Sequence, residues 1–290
     1  MHSYLRSIGF LKANRIDEVN LILENTAEAY DEKHIYETKN GRCLGEIIKY
    51  YADSIGIKIV GEYDRNHHFH REYYLPFILG EQISTSEDVI IEKRLNQDAF
   101  YVICDDVRLG STLIFSLQNM NEYIQQKRDE NPVAGAKSVI LTGLAHNGTI
   151  LFPVENSEKT ETEKKAVQDH RSLMRAAQGG DRDAMESLTL EEFDTYSMIA
   201  DRIEREDVLT IVDSYFIPSG IEADEYNILG TIKDCFLTGN ALTGEEIVVM
   251  QIEVNDISLK VCVNREDLMG EPEAGRRFKG SIWLQGQVFF

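Results

Sequence analysis

The sequence predicts an α+β protein: a largely antiparallel amino-terminal sheet with helices, a helical connector, and a small carboxy-terminal β-barrel. Three observations carry this. The stretch from Tyr226 to Phe290 breaks into runs of strand-like alternation, where side chains point to opposite faces at every step. Ile16, Val19, Leu23, Ala27 and Tyr30 recur instead at three- and four-residue steps, the spacing of an amphipathic helix. No regular strand–helix–strand repeat appears, which argues against a doubly wound parallel sheet.

After that first helix, Leu44, Ile47, Ile48, Tyr51 and Ile55 share a helical face, and Gly56 would suit the cap of a second helix over Leu44–Ile55. Tyr50, Tyr51 and the isoleucine pair suit a strand as well. Ile57, Ile59 and Gly61 then alternate with Lys58, Val60 and Glu62, and the polar turn Asp64–His67 leads to a returning strand over Phe69–Leu79. Further strands are expected at Val89–Leu95, Ala99–Cys104 and Thr112–Leu117, the last two joined by the turn Asp105–Gly110. A helix over Asn119–Arg128 follows. Asn147-Gly148 predicts a type I′ hairpin between Ser138–Ala145 and Thr149–Val154, because both central residues of that turn need positive φ.

The charged, Thr/Glu-rich run Glu155–Lys165 marks a seam. It divides the chain into an α+β domain over 1–155, a helical connector over 156–206 and a barrel domain over 207–290. In the connector, Ala166–Gln178 stops at Gly179-Gly180, and Asp181 can cap a short segment to Leu188. Thr189–Glu192 is a capping box before the stripe Phe193, Tyr196, Ala200, Ile203. Val208–Ile217, Ile228–Leu237, Glu246–Val254, Ile257–Val263 and Arg277 to the end supply five strands. Five short strands suit an OB-like or related small barrel.

With 290 residues, 42% of them hydrophobic, the chain can fill well-packed cores. A net charge of -20 without a basic stripe works against a nucleic-acid partner. Cys43, Cys104, Cys235 and Cys262 are widely spaced with no C-x-x-C, so reduced thiols are expected rather than a disulfide framework or a zinc knuckle. Neither a signal peptide nor a run of roughly 20 apolar residues is evident. These features together predict a cytoplasmic protein without a membrane partner.

Met1–Phe10, Gly61–Asp64, His70–Tyr74, Cys104–Gly110, Leu188-Thr189 with Asp194–Ser197, and Gly270–Pro272 with Arg277–Gly280 are distinctive in combination. Together they resemble an uncharacterised domain-of-unknown-function family from Clostridia-type gut bacteria, nearly end to end. The resemblance implies a bacterial cytoplasmic origin and brings no activity, cofactor or site residue.

Phosphate-loop, dinucleotide and nucleophile-elbow spacings are all missing from the sequence, so a binding or adaptor role is expected rather than catalysis. Two residue groups are candidates. On the last strand, Phe278, Ile282, Leu284 and Val288 form an apolar face, while Arg277, Lys279, Trp283, Gln285 and Gln287 form a cationic, amide-bearing one. Arg277, Lys279, Trp283 and Gln285 would meet a protein partner or a second copy of the chain, unless helices or the first domain cover that face. His68, His70 and Glu72 would project together from a strand, as ligands of a metal-dependent enzyme. Asp105 and Asp106 beside Arg108 read as turn chemistry rather than an acid/base pair. The sequence leaves the cofactor unknown.

Overall fold

A computed structural model describes residues 3–38, 40–94, 99–106, 108–109, 111–128, 138–153, 212–219 and 222–290, with isolated positions in 172–187. The helical connector expected over 156–206, including its capping box, lies outside the described residues apart from those positions. Elsewhere the α+β class holds, with far more strand than helix.

A 3-10 turn, Ser3–Ile8, opens the chain and is followed by α1, Ile16–Glu28. Glu18 folds back to accept from the main-chain N–H groups of Asn14 and of the cap residue Arg15. Val19 and Leu23 are buried as the periodicity requires, whereas Ile16 and Tyr30 stay exposed.

Four strands form an antiparallel sheet in sequence order: β1 (Glu32–Glu37), β2 (Cys43–Ala52), β3 (Ile55–Tyr63) and β4 (Phe69–Ile78). The β3–β4 hairpin is the predicted one. The second helix is not: Leu44–Ala52 is strand β2. Both of its faces are buried, Leu44 in one core and Ile47 and Tyr51 in the other. A strand covered on both sides has no polar positions to keep to a two-residue period, so apolar residues fall three and four apart by necessity. Gly56 lies inside β3, where a Cβ would stand 2.3 Å from the Lys49 carbonyl oxygen.

The remaining strands are β5 (Val89–Lys93), β6 (Phe100–Asp106), β7 (Ser111–Leu117), β8 (Ser138–Leu151), β9 (Tyr215–Pro218), β10 (Glu225–Gly239), β11 (Glu246–Val254), β12 (Ile257–Asn264), β13 (Leu268–Met269) and β14 (Arg277–Phe289). Helix α2 (Met120–Arg128) lies between β7 and β8. β10, β11 and β12 form the predicted meander, and β14 returns beside β10. The fifth barrel strand is not the predicted Val208–Ile217 segment, whose described part gives the short β9 on a flank of β10. β8 closes the ring, running parallel to β12 and antiparallel to β14 along its whole length. The barrel order is therefore β8-β12-β11-β10-β14, and its closing strand comes from the amino-terminal side of the expected seam.

That closure explains why Asn147-Gly148 is not a turn. Neither residue has positive φ; both lie mid-strand in β8. His146 is an extra residue there, opposite the Ser281/Ile282 step of β14, a bulge of the kind that bends a barrel strand. Gly148 pairs with Gly280, and the buried Phe278 ring lies over both, 2.2 Å from where a Gly148 Cβ would sit. Gly148→Val should thus destabilise the fold by about 1–3 kcal/mol through overpacking, read as a lower urea midpoint. A midpoint equal to wild type would show that Phe278 does not need that space.

Two cores result. Phe278, Ile282, Leu284 and Val288 fill the barrel with Ile228, Met250 and Val261. A second core joins the four-stranded sheet, α1 and the Ser3–Ile8 turn to the barrel's outer wall, where Leu144, Val249, Cys262 and Trp283 face them. All four cysteines are free.

Candidate functional site

The four-stranded sheet covers part of the β14 face that the sequence left open. Trp283 is 1% exposed and Gln285 0%. Arg277 is buried too, and donates to the carbonyls of Phe152 and Val212 at 3.0 and 3.1 Å. Burial holds its guanidinium below its ordinary pKa, with Asp213 opposing. Of the four expected contact residues, only Lys279 is exposed, in a groove beside Asn147, Tyr215 and Asn227. The alternation correctly separated two faces of β14, but the cationic one is largely internal and is not an open docking surface. From Ile282 to Gly286 the strand is buried on both sides.

Around Trp283 the chain builds a polar hub. The buried Asp224 carboxylate, in the turn before β10, receives three donors on Oδ2: the Trp283 indole N–H at 2.7 Å, the Ser116 hydroxyl at 2.7 Å and Arg94 Nη2 at 2.9 Å. Arg94 follows β5 and stacks its guanidinium 3.8 Å from the Tyr101 ring centre. Its Nε is buried and meets no acceptor among the described residues. Tyr4 approaches the indole with ring centres 5.3 Å apart and donates to Glu225 at 2.8 Å. Burial, with help from Glu225, pushes the Tyr4 hydroxyl far up, so it stays protonated and able to donate.

This hub forms one wall of a cleft of about 420 Å³ between β4 and the larger sheet, lined by Arg71, Tyr74, Arg94, Phe100, Ser116 and Trp283 among others. Arg71 donates to the neutral amide oxygen of Asn20 at 3.0 Å. Burial raises the pKa of the Tyr74 hydroxyl against the pull of Arg71, keeping it a proton donor. The cleft thus combines the fixed Arg94, the exposed Arg71 and the Glu72 carboxylate, which is paired with Arg42, with aromatic walls.

A sequence profile described as a domain of unknown function, named for an E. rectale gene (DUF3881), matches residues 5–286. The chain belongs to the DUF3881 family. No curated protein and no solved structure matches it. Among the described residues no helix is long and apolar enough to cross a membrane.

In this DUF3881 chain the expected metal group is not assembled. Glu72 is the extra residue of a β-bulge, opposite the Val60/Gly61 step, which breaks the two-residue alternation that would have aligned it with His70. Its carboxylate meets Arg42 Nη2 at 3.2 Å. His68 and His70 are exposed and approach Asp64 Oδ2 at 3.5 and 3.1 Å. Hydrogen bonding from the His68 main chain, then from His70, holds the Asp64 carboxyl at about 2. Among the described residues no three His, Cys, Asp or Glu side chains are placed to hold a metal ion.

Asp106 and Arg108 form a structural pair, as turn chemistry predicts. Arg108 donates to both Asp106 oxygens and to the carbonyls of Ser84 and Asp256. Burial pushes the Asp106 carboxyl up, but bonds from Arg108 and Thr85 outweigh it and leave the group below its ordinary value.

Sequence reasoning passed over Asp224, Arg94 and the β4 edge. One signal was available: Pro76 lies within Phe69–Leu79, and proline inside a strand marks an edge.

Proposed function

We propose that this protein is a non-catalytic binding protein whose small ligand enters the cleft between β4 and the larger sheet and touches the wall containing Trp283. The observation that carries this reading is the cationic Arg94, held by Asp224 and Tyr101 beside an aromatic-lined cleft of about 420 Å³. That volume falls in the range of small-molecule pockets, and few, fixed polar groups among aromatic walls are their usual chemistry. Contact with a ligand in the cleft takes the place of an exposed Trp283 surface for a protein partner. The Asp224 oxygen that receives the Ser116 hydroxyl is already shared with Arg94 and the Trp283 indole, which supports a structural use of Ser116 over a nucleophilic one.

We read the barrel as OB-like, since its ring order is that of an OB barrel with the last strand moved to the front. The face such barrels use for oligonucleotides is crossed here by the chain's own residues: Lys260 meets Glu81, and Ser258 meets Gln82 and Ser84. With the acidic balance, this favours a small ligand over nucleic acid, in a cytoplasmic setting.

Thermal-shift screening of the full chain against small organic acids and aromatics tests the reading, with emission of the single Trp as a second readout. Hits should raise Tm and change Trp283 emission. Ala99→Phe, which fills the cleft without removing a polar partner, should weaken them by about tenfold or more. A screen without hits, or hits indifferent to Ala99→Phe, overturns the proposal.

A further inference from the structure

We infer that the cleft takes a short peptide by its free carboxyl terminus, pairing the peptide's last amide with the open edge of β4. This deepens the binding role proposed above and depends on it.

The edge is defined by its hydrogen bonds. Among the described residues β4 pairs only with β3, and its other side faces the larger sheet. Leu79 N–H turns inward to Ser54 at 2.8 Å. The carbonyls of Pro76 and Ile78 turn outward and accept from the side-chain amides of Gln285 and Gln118, at 2.9 and 3.0 Å. Proline has no N–H to leave unpaired at that outward position. No register shift separates Tyr74 from Ile78, and strand groups alternate in direction by residue. The Tyr74 main-chain N–H and carbonyl are therefore outward as well, and Tyr74 lines the cleft. The edge is sealed from Pro76 onward and opens at Tyr74.

An extended peptide is the ligand class that offers both a matching amide donor and a matching carbonyl to such an edge. The cations supply the second half of the recognition. Arg94 is oriented by Asp224 and Tyr101 with its Nε unsatisfied, and Arg71 stands on the β4 side. A planar guanidinium is matched to a carboxylate. Phe100 and Trp283 give the terminal side chain an apolar wall. The cleft's size limits the engaged segment to a few residues and excludes a long added strand.

The experiment titrates the full chain with an N-acetylated tripeptide acid ending in phenylalanine, following Trp283 emission. Two comparison ligands are the same peptide as its carboxyl-terminal amide and a phenylpropionate lacking any amide. The acid should bind at least about tenfold more tightly than either, because the amide loses the charge-assisted bonds and phenylpropionate loses the edge pairing. Equal binding of acid and amide, or of acid and phenylpropionate, overturns the inference. Silent peptides alongside screening hits that depend on the open cleft would remove the ligand class and leave the binding role standing. Silence in both experiments removes both.

Discussion

Asp224→Ala is expected to lower the unfolding free energy by about 3–5 kcal/mol, the usual cost of stranding a buried charge. The carboxylate is 1% exposed and accepts from Arg94, Ser116 and the Trp283 indole on a single oxygen. Truncation takes the shared Asp224 acceptor from a largely buried guanidinium and from the indole N–H, and water reaching them from the neighbouring cleft restores only part of the loss. Asp224→Asn keeps an oxygen for Trp283 and Ser116 but no charge for Arg94, so its loss should be smaller. The backbone bond from Leu284 N–H to the Asp224 carbonyl survives in both variants, so the turn itself should persist. Urea unfolding followed by circular dichroism and by Trp283 emission measures the two losses. An Asp224→Ala protein within about 1 kcal/mol of wild type would show that Arg94 and the indole find other partners, contrary to the hub described above.

How far the sequence spoke depended on how local each signal was. The meander β10–β11–β12 and the β3–β4 hairpin were legible because neighbouring strands carry their own alternation and their own turns. β2 was misread because the criterion of one wet and one dry face fails for a strand buried on both. The closing of the barrel by β8 was invisible for a different reason. Its partners β12 and β14 lie more than a hundred positions away, and a parallel pairing has no turn to announce it. The site shows the same limit more sharply. Arg94 and Asp224 are 130 residues apart, and nothing near either says that they meet. On β14 the pattern gave two distinct faces; what lies against Trp283 and Gln285 is decided by β2, β3 and β4, far off in the chain.

Gln118→Leu should cost about 2–4 kcal/mol and Gln285→Leu about 1–3, since each strands buried acceptors. Gln118 Nε2 stands 3.0 Å from the Ile78 carbonyl, 3.0 Å from Thr142 Oγ1 and 2.9 Å from Gln285 Oε1. Gln285 passes the link on, donating to Pro76. The two amides therefore join the edge of the four-stranded sheet to the barrel wall, and a third tie lies close by: Lys58 donates to the main-chain carbonyl of Gln118 at 2.7 Å and to the buried Glu46 at 3.2 Å. The double variant separates two accounts of these residues. If the amides chiefly satisfy each other, replacing both with leucine removes donor and acceptor together, and stability returns to within about 1 kcal/mol of wild type. If they chiefly cap the strand edge, Gln118→Leu strands the Ile78 carbonyl, Gln285→Leu strands that of Pro76, and the double variant strands both and is at least as unstable as the worse single one. The second outcome is expected, because a strand edge pressed against a neighbouring sheet has no other source of donors. Recovery in the double variant would show that the edge needs no such cap, and with it would fall the argument that β4 is sealed beyond Pro76 and open for pairing at Tyr74.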